Sequence, residues 1–208
     1  METILFIKPI LVKRPWGGER LSSVFSSSEK QIGEAWIFST LKDNSNSIES
    51  SSETLHSLYL KHRELFGTDT PFFEVMIKII DPIDDLSVQL HPNPLVGIED
   101  RFLGKDECWY FIEGCGEIIY GTNTKLDKEI INSNLLEHLN KVEVRKGQLV
   151  NIPHGTIHAL KKGLFVYEVQ TTSDITYRLY DYNRLGLDGK KRELHIEEAL
   201  KCVSYSNQ

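Results

Sequence analysis

The clearest pattern in the chain is the run Phe72-Phe-Glu-Val-Met-Ile-Lys-Ile-Ile80. In an extended strand successive side chains point to opposite faces. Phe73, Val75, Ile77 and Ile79 then share one face, and Glu74, Met76, Lys78 and Ile80 the other. A lysine inside such a run is either paired or placed there for a purpose, because an unpaired buried ammonium is costly. An ion pair with Glu74 and a substrate-facing cation are equally supported by the spacing. Shorter runs of the same kind predict strands at 33–39, 86–91, 108–114, 117–121, 164–170 and 176–181, and the run 142–147 turns at Gly147 into a second run at 148–153. Residues 1–16 read as extended, since Pro9 and Pro15 oppose a helix, and end in a turn at Gly17-Gly18. The Asp81–Asp85 turn is predicted to join 72–80 to the strand carrying Gln89 as a hairpin-like pair.

Helical spacing appears in three places. Leu55, Leu58, Tyr59 and Phe66 recur over 53–67, with Gly67 as terminator. A second stretch lies within 126–140, and the third is the tail at 192–203. The Ser/Asn-rich segment 44–52 reads as a loop. With no internal repeat and no linker, the pattern predicts one domain over 1–208, an all-β core of many short strands with small helical insertions.

Composition narrows the function classes. The 208 residues are 40% hydrophobic and 26% charged, ordinary for a globular protein. A net charge of −6 argues against nucleic acid or an anionic membrane as the main partner. No stretch approaches the roughly 20 apolar residues of a membrane span, and Met1–Lys8 lacks the basic leader of a signal peptide. Cys108, Cys115 and Cys202 are an odd set without paired spacing, which reads as reduced thiols and a cytoplasmic setting.

The candidate chemistry centres on Leu86-Ser-Val-Gln-Leu-His-Pro92. Gln89 and His91 are two apart, so a strand puts both on one face. Glu107 follows sixteen residues later, and His158 ends Gly147-Gln-Leu-Val-Asn-Ile-Pro-His-Gly-Thr-Ile-His158. Two His, one Glu and one Gln make a mixed N/O set suited to one catalytic zinc with room for water or substrate. His154 lies near His158, across a glycine turn. His56, His62 and His138 read as surface residues. Asp174 and Arg178 are four apart and would share a strand face.

The ordered motifs resemble a known family. Glu107-x6-Gly114 and Gly147-x5-Pro153-x-Gly155-x2-His158 look like the paired motifs of the cupin superfamily, small jelly-roll barrels that hold a metal in the lumen. Gln89-x-His91 with Glu107 and His158 resembles the four-ligand version of the type I mannose-6-phosphate isomerases, in which Gln replaces the usual first His. Lys13–Gly18, Gly33–Trp36, Ser173–Asp181 and Arg192-Glu-Leu-His195 also look like that family's signatures. The resemblance implies a mainly β, single cupin (jelly-roll) barrel and one Zn2+ per chain. It implies an aldose-ketose isomerase that interconverts mannose 6-phosphate and fructose 6-phosphate through a cis-enediol. It places Lys78, Lys105, Asp174 and Arg178 among the active-site groups, and His158 rather than His154 as ligand. The chain ends soon after His195, so it looks like a short form without the family's C-terminal β domain. A homodimer covering the open side of the barrel is a further expectation. The alternatives are a cupin epimerase or oxygenase, and a non-catalytic or differently specific sugar-phosphate-binding cupin.

Overall fold

The computed structural model describes residues 4–49, 51–93, 97–98, 101–102 and 104–205. Met1–Thr3 of the opening run therefore lie outside the described residues. In chain order the elements are β1 (Ile10–Gly18), α1 (Arg20–Val24), β2 (Ile32–Phe38), β3 (Thr40–Leu41), β4 (Asn44–Ser45), α2 (Leu55–Lys61), β5 (Val75–Ile80) and β6 (Val88–Leu90). Next come β7 (Gly97–Ile98), β8 (Arg101–Phe102), β9 (Glu107–Glu113), β10 (Cys115–Thr122), α3 (Lys128–Ser133) and β11 (Leu139–Arg145). The chain continues through β12 (Leu149–Ile152), β13 (His158–Ala159), β14 (Phe165–Thr171), β15 (Tyr177–Tyr180) and α4 (Ile196–Cys202).

Two antiparallel sheets make the barrel. One runs β1-β2-β5-β14-β9-β12 and the other β11-β10-β13-β6-β15. This is the mainly β, cupin-type architecture expected. Period-2 alternation builds it. Met76, Lys78 and Ile80 of β5 are buried in the lumen while Val75, Ile77 and Ile79 are only partly covered. Between the sheets Trp16, Trp109, Phe111, Ile118, Leu160 and Val166 pack as the main core. The five-stranded sheet is covered on its outer face as well. Val88, Leu90, Ile119, Ile157 and Leu179 pack there against Ile131 of α3 and Ala199 of α4. Helical spacing around residue 130 and in the tail thus marks two covers for one sheet.

Three expectations need correction. The Asp81–Asp85 turn does not close a hairpin, because β5 belongs to the six-stranded sheet and β6 to the five-stranded one. Likewise β9 and β10 part at Gly114, which takes φ +95° to make the corner. At both corners the chain crosses from one sheet to the other, so a tight turn between two strand patterns does not imply that they pair. Gly17 and Gly18 lie inside β1, at an irregular register with Ile32, rather than in a turn. The 44–52 segment contributes β4, which pairs with β3. The helix predicted over 53–67 is α2 followed by a 3-10 turn at Arg63–Phe66, and Gly67 ends it at φ +68°.

Candidate active site

Register converts the strand pattern into a site. On the five-stranded sheet the pairings Tyr120↔His158, His158↔Gln89 and Gln89↔Arg178 set these four residues side by side on the lumen face. On the facing sheet one row runs Trp36↔Lys78↔Glu168↔Trp109, and the next runs Met76↔Gln170↔Glu107↔Ile152. Between them opens a cavity of about 640 Å³, lined among others by Gln89, Glu107, Lys78, Lys105, Asp174 and Arg178.

Glu107, on the cavity wall, converges with buried His91 and His158, their ligating atoms all within 4.8 Å of one another. His91 Nδ1 lies 2.9 Å from the carbonyl of Ile175, and His158 Nδ1 lies 2.9 Å from that of Thr156. A carbonyl only accepts, so each Nδ1 carries the hydrogen and each Nε2 keeps its lone pair. His91 Nε2 is 3.2 Å from Glu107 Oε1, and His158 Nε2 is 3.5 Å from Glu107 Oε2. Both Nε2 atoms and Glu107 Oε2 are buried without a hydrogen-bond partner. Acceptors aimed at acceptors in a buried site leave polar groups uncompensated, and a cation among them removes that cost. The residues present therefore fit a divalent metal. Gln89 lines the same cavity, and its Oε1 accepts from Ser87 Oγ at 2.9 Å, which leaves a second lone pair. His154 is elsewhere, with Nδ1 2.8 Å from Asp106 Oδ1.

Backbone contacts hold the ligand-bearing segments together. Lys105 N donates to Pro92 O at 3.2 Å, and Gly155 N donates to His91 O at 2.8 Å. Gly104 is required here, since a Cβ would fall 1.7 Å from Pro92 O.

Electrostatics separates the two lysines. Lys105 Nζ sits 2.7 Å from Glu107 Oε1 and 3.2 Å from Gln170 Oε1. Burial works against its charge, but Glu107 and Glu168 outweigh burial and hold the ammonium above its ordinary value. Lys78 is pulled below its ordinary value by burial and then by the charge of Lys105. Its partner is Glu168, 3.4 Å away and directly opposite in the register. Burial and then Glu107 push the Glu168 carboxyl up. Glu74 is excluded as the partner by distance, since four residues of strand span about 13 Å and Glu74 is exposed. Glu168 is the site residue that sequence reasoning missed. It also accepts from Trp109 Nε1 at 2.8 Å, and the Trp109 ring packs edge-on against His158.

Burial alone would push Glu107 up, but Lys105 and then His91 hold it well below the carboxylate range. Burial, and then Lys105, bring His91 down to about 3, and burial also lowers His158. Arg178 lines the same cavity, its Nε buried without a partner. Asp174 precedes β15 instead of sharing the strand with Arg178, yet both line the cavity. Arg14 forms a two-point pair with buried Glu34, at 2.8 and 3.1 Å.

The fold and this centre define a cupin-type barrel with a charged lumen and a buried His/Glu/His group that could hold a metal. No family model matches the chain. It is 37% identical to the mannose-6-phosphate isomerase ManA of Bacillus subtilis over 96% of its length, and it spans 67% of that relative. A crystal structure of the mannose 6-phosphate isomerase of Bacillus subtilis superposes with a TM-score of 0.89 at 34% identity, covering 98% of this chain and 69% of that one. A more distant structure, of a mannose 6-phosphate isomerase bound with zinc and yttrium, shares the fold at 14% identity and a TM-score of 0.69. It matches 100% of this chain and 76% of its own. The chain belongs to the mannose-6-phosphate isomerase family and spans about two thirds of the length of the curated relatives it matches.

Proposed function

We propose that this chain interconverts mannose 6-phosphate and fructose 6-phosphate, with one zinc ion held by Gln89, His91, Glu107 and His158. The observation that carries the reading is the convergence of buried acceptor atoms from His91, Glu107 and His158 in a member of this family. The described residues act as one catalytic unit, and the three unpaired cysteines suit a cytoplasmic enzyme.

When bound, the ion polarises the sugar oxygens and orients the open-chain substrate. The isomerisation moves one proton from C2 to C1 and one from O2 to O1, through a cis-enediol. A carbon proton needs a base whose affinity is close to that of its surroundings. The Lys78–Glu168 pair suits that task, because burial lowers the lysine and raises the carboxyl until neither holds the proton strongly. Lys105, kept charged beside Glu107, stabilises the developing enediolate and donates to a sugar oxygen. Arg178 binds the phosphate through its planar fork, and Asp174 orients the cations around it.

A coupled assay with mannose 6-phosphate tests this. Turnover should vanish on chelation and return with added zinc. Arg178→Ala should lose most activity while keeping its metal. Absence of isomerisation with any divalent metal would falsify the reading.

A further inference from the structure

Arg192, which opens the motif Arg192-Glu-Leu-His195, lines the cavity together with Arg178. Residues 184–192 double back as a short hairpin. Leu185 bridges Lys191, and Gly186 N donates to Lys190 O at 2.7 Å. The tip, Gly186 to Asp188, also lines the cavity.

A single buried carboxylate clamps both ends of this hairpin. Asp181 is 5% exposed. It accepts from Arg184 Nη2 at 2.8 Å and Nε at 3.2 Å, and from Arg192 Nε at 2.7 Å and Nη2 at 2.6 Å. The backbone between clamp and hairpin is unusual, since Tyr182 and Asn183 both take left-handed φ values of 55° and 54°. Such conformations in non-glycine residues persist only where the surroundings enforce them.

Charge accounting then singles out Arg192. Asp181 carries one negative charge shared between two guanidiniums. Arg184 spends its remaining nitrogen on Asp84 at 3.2 Å and does not line the cavity. Asp84 is largely exposed, so that pair is screened. Arg14, the other arginine on the wall, is matched one-to-one by Glu34. Arg192 commits Nε and Nη2 to Asp181, which leaves Nη1. Beside it Arg178 has a buried Nε without a partner. After burial, Arg192 is the largest influence on the Arg178 guanidinium and lowers it. Two neighbouring like charges on one cavity wall oppose each other until an anion bridges them.

We propose that Arg192, clamped by Asp181, is the second guanidinium of an anion subsite shared with Arg178, and that it takes the phosphoryl group of the sugar phosphate. The sugar rests on the function proposed above; the anion subsite does not. Asp181 is a positioning residue that aims the Arg192 fork. A planar fork on a phosphoryl oxygen makes charge-assisted bonds, whose loss weakens binding about tenfold to hundredfold.

The test is calorimetric titration of inorganic phosphate into zinc-loaded wild type, Arg192→Ala, Arg192→Lys and Asp181→Asn, followed by steady-state kinetics on mannose 6-phosphate. Arg192→Ala should bind phosphate about tenfold to hundredfold more weakly, and KM should rise by a similar factor with a much smaller change in kcat. Arg192→Lys should fall between, since it keeps the charge and loses the fork. Asp181→Asn should weaken phosphate binding in wild type but add little to Arg192→Ala. A wild type that binds no phosphate overturns the proposal. So do wild-type phosphate affinity and KM in Arg192→Ala, or in Arg192→Lys if the alanine variant fails to fold. If wild type isomerises nothing yet its phosphate affinity still depends on Arg192, the subsite stands and the proposed activity falls.

Discussion

Lys78→Met isolates the charge of Glu168. In the folded protein Lys78 Nζ lies 3.4 Å from Glu168 Oε1, and both side chains are almost wholly buried. Burial is the largest influence raising Glu168, and Lys78 restrains that rise. Without the lysine, the carboxyl takes a proton on folding. The unfolded chain titrates it near the ordinary value of 4.5. A folded-state pKa above the unfolded one means that stability is full below the unfolded value and is lost as pH rises. The cost of keeping Glu168 neutral is then about 0.8 kcal/mol at pH 5, growing to at most about 3.4 kcal/mol at pH 7. For a chain of this size that corresponds to a fall in Tm of about 2–3 °C at pH 5 and about 7–14 °C at pH 7. Removing Lys78 also relieves its own burial, so the pH dependence is more informative than the absolute shift. Thermal unfolding of zinc-loaded wild type and variant at both pH values measures it. Lys78→Met/Glu168→Gln should abolish the difference between pH 5 and pH 7. A Tm gap that is equal at the two pH values would refute the account of this pair.

Two further outcomes follow from the same geometry. Lys105→Met should retain zinc, because Lys105 is not a ligand, while kcat drops about 10²–10⁴-fold; wild-type kcat would show that the charge beside Glu107 is only structural. His91 is held near 3, so its ring stays neutral well below the ordinary 6.5, and burial lowers His158 from that value too. Zinc affinity, read by competition with a chromophoric chelator, should show no histidine inflection between pH 6 and pH 7. A tenfold loss per pH unit below 6.5 would contradict the buried, Nδ1-protonated geometry.

What could be read from the chain alone was whatever sequence distance preserves. Gln89 and His91 share a face because two residues is the strand period, and His158 could be separated from His154 by its motif position. The alternation grouped Met76, Lys78 and Ile80 on one face without saying which face is the inner one, and the fold buries that face. What was hidden depends on register between distant strands. Glu168 lies ninety residues from Lys78 and meets it only because β14 pairs with β5 in one register. A shift of one residue would have turned Glu168 outward and brought Val169 or Tyr167 in. The same limit hid the clamp at Asp181, whose partners are near in sequence but meet it only through two left-handed residues.

The register also explains why so many charges tolerate burial. Three pairs of opposite charges stand side by side in the lumen: Glu34 with Arg14, Lys78 with Glu168, Lys105 with Glu107. Six cationic and five acidic side chains line the cavity, so the protein alone brings it close to neutrality. A divalent ion at His91, Glu107 and His158 tips that balance clearly positive. Breaking any one pair leaves a buried charge uncompensated, which costs far more than a surface pair is worth. A dianionic phosphoryl group entering beside Arg178 is the ligand whose charge offsets the excess. A neutral sugar leaves it in place. The preference for a phosphorylated sugar should therefore depend on the metal as well as on the arginines, and chelation should weaken phosphate binding even in a variant that cannot turn over.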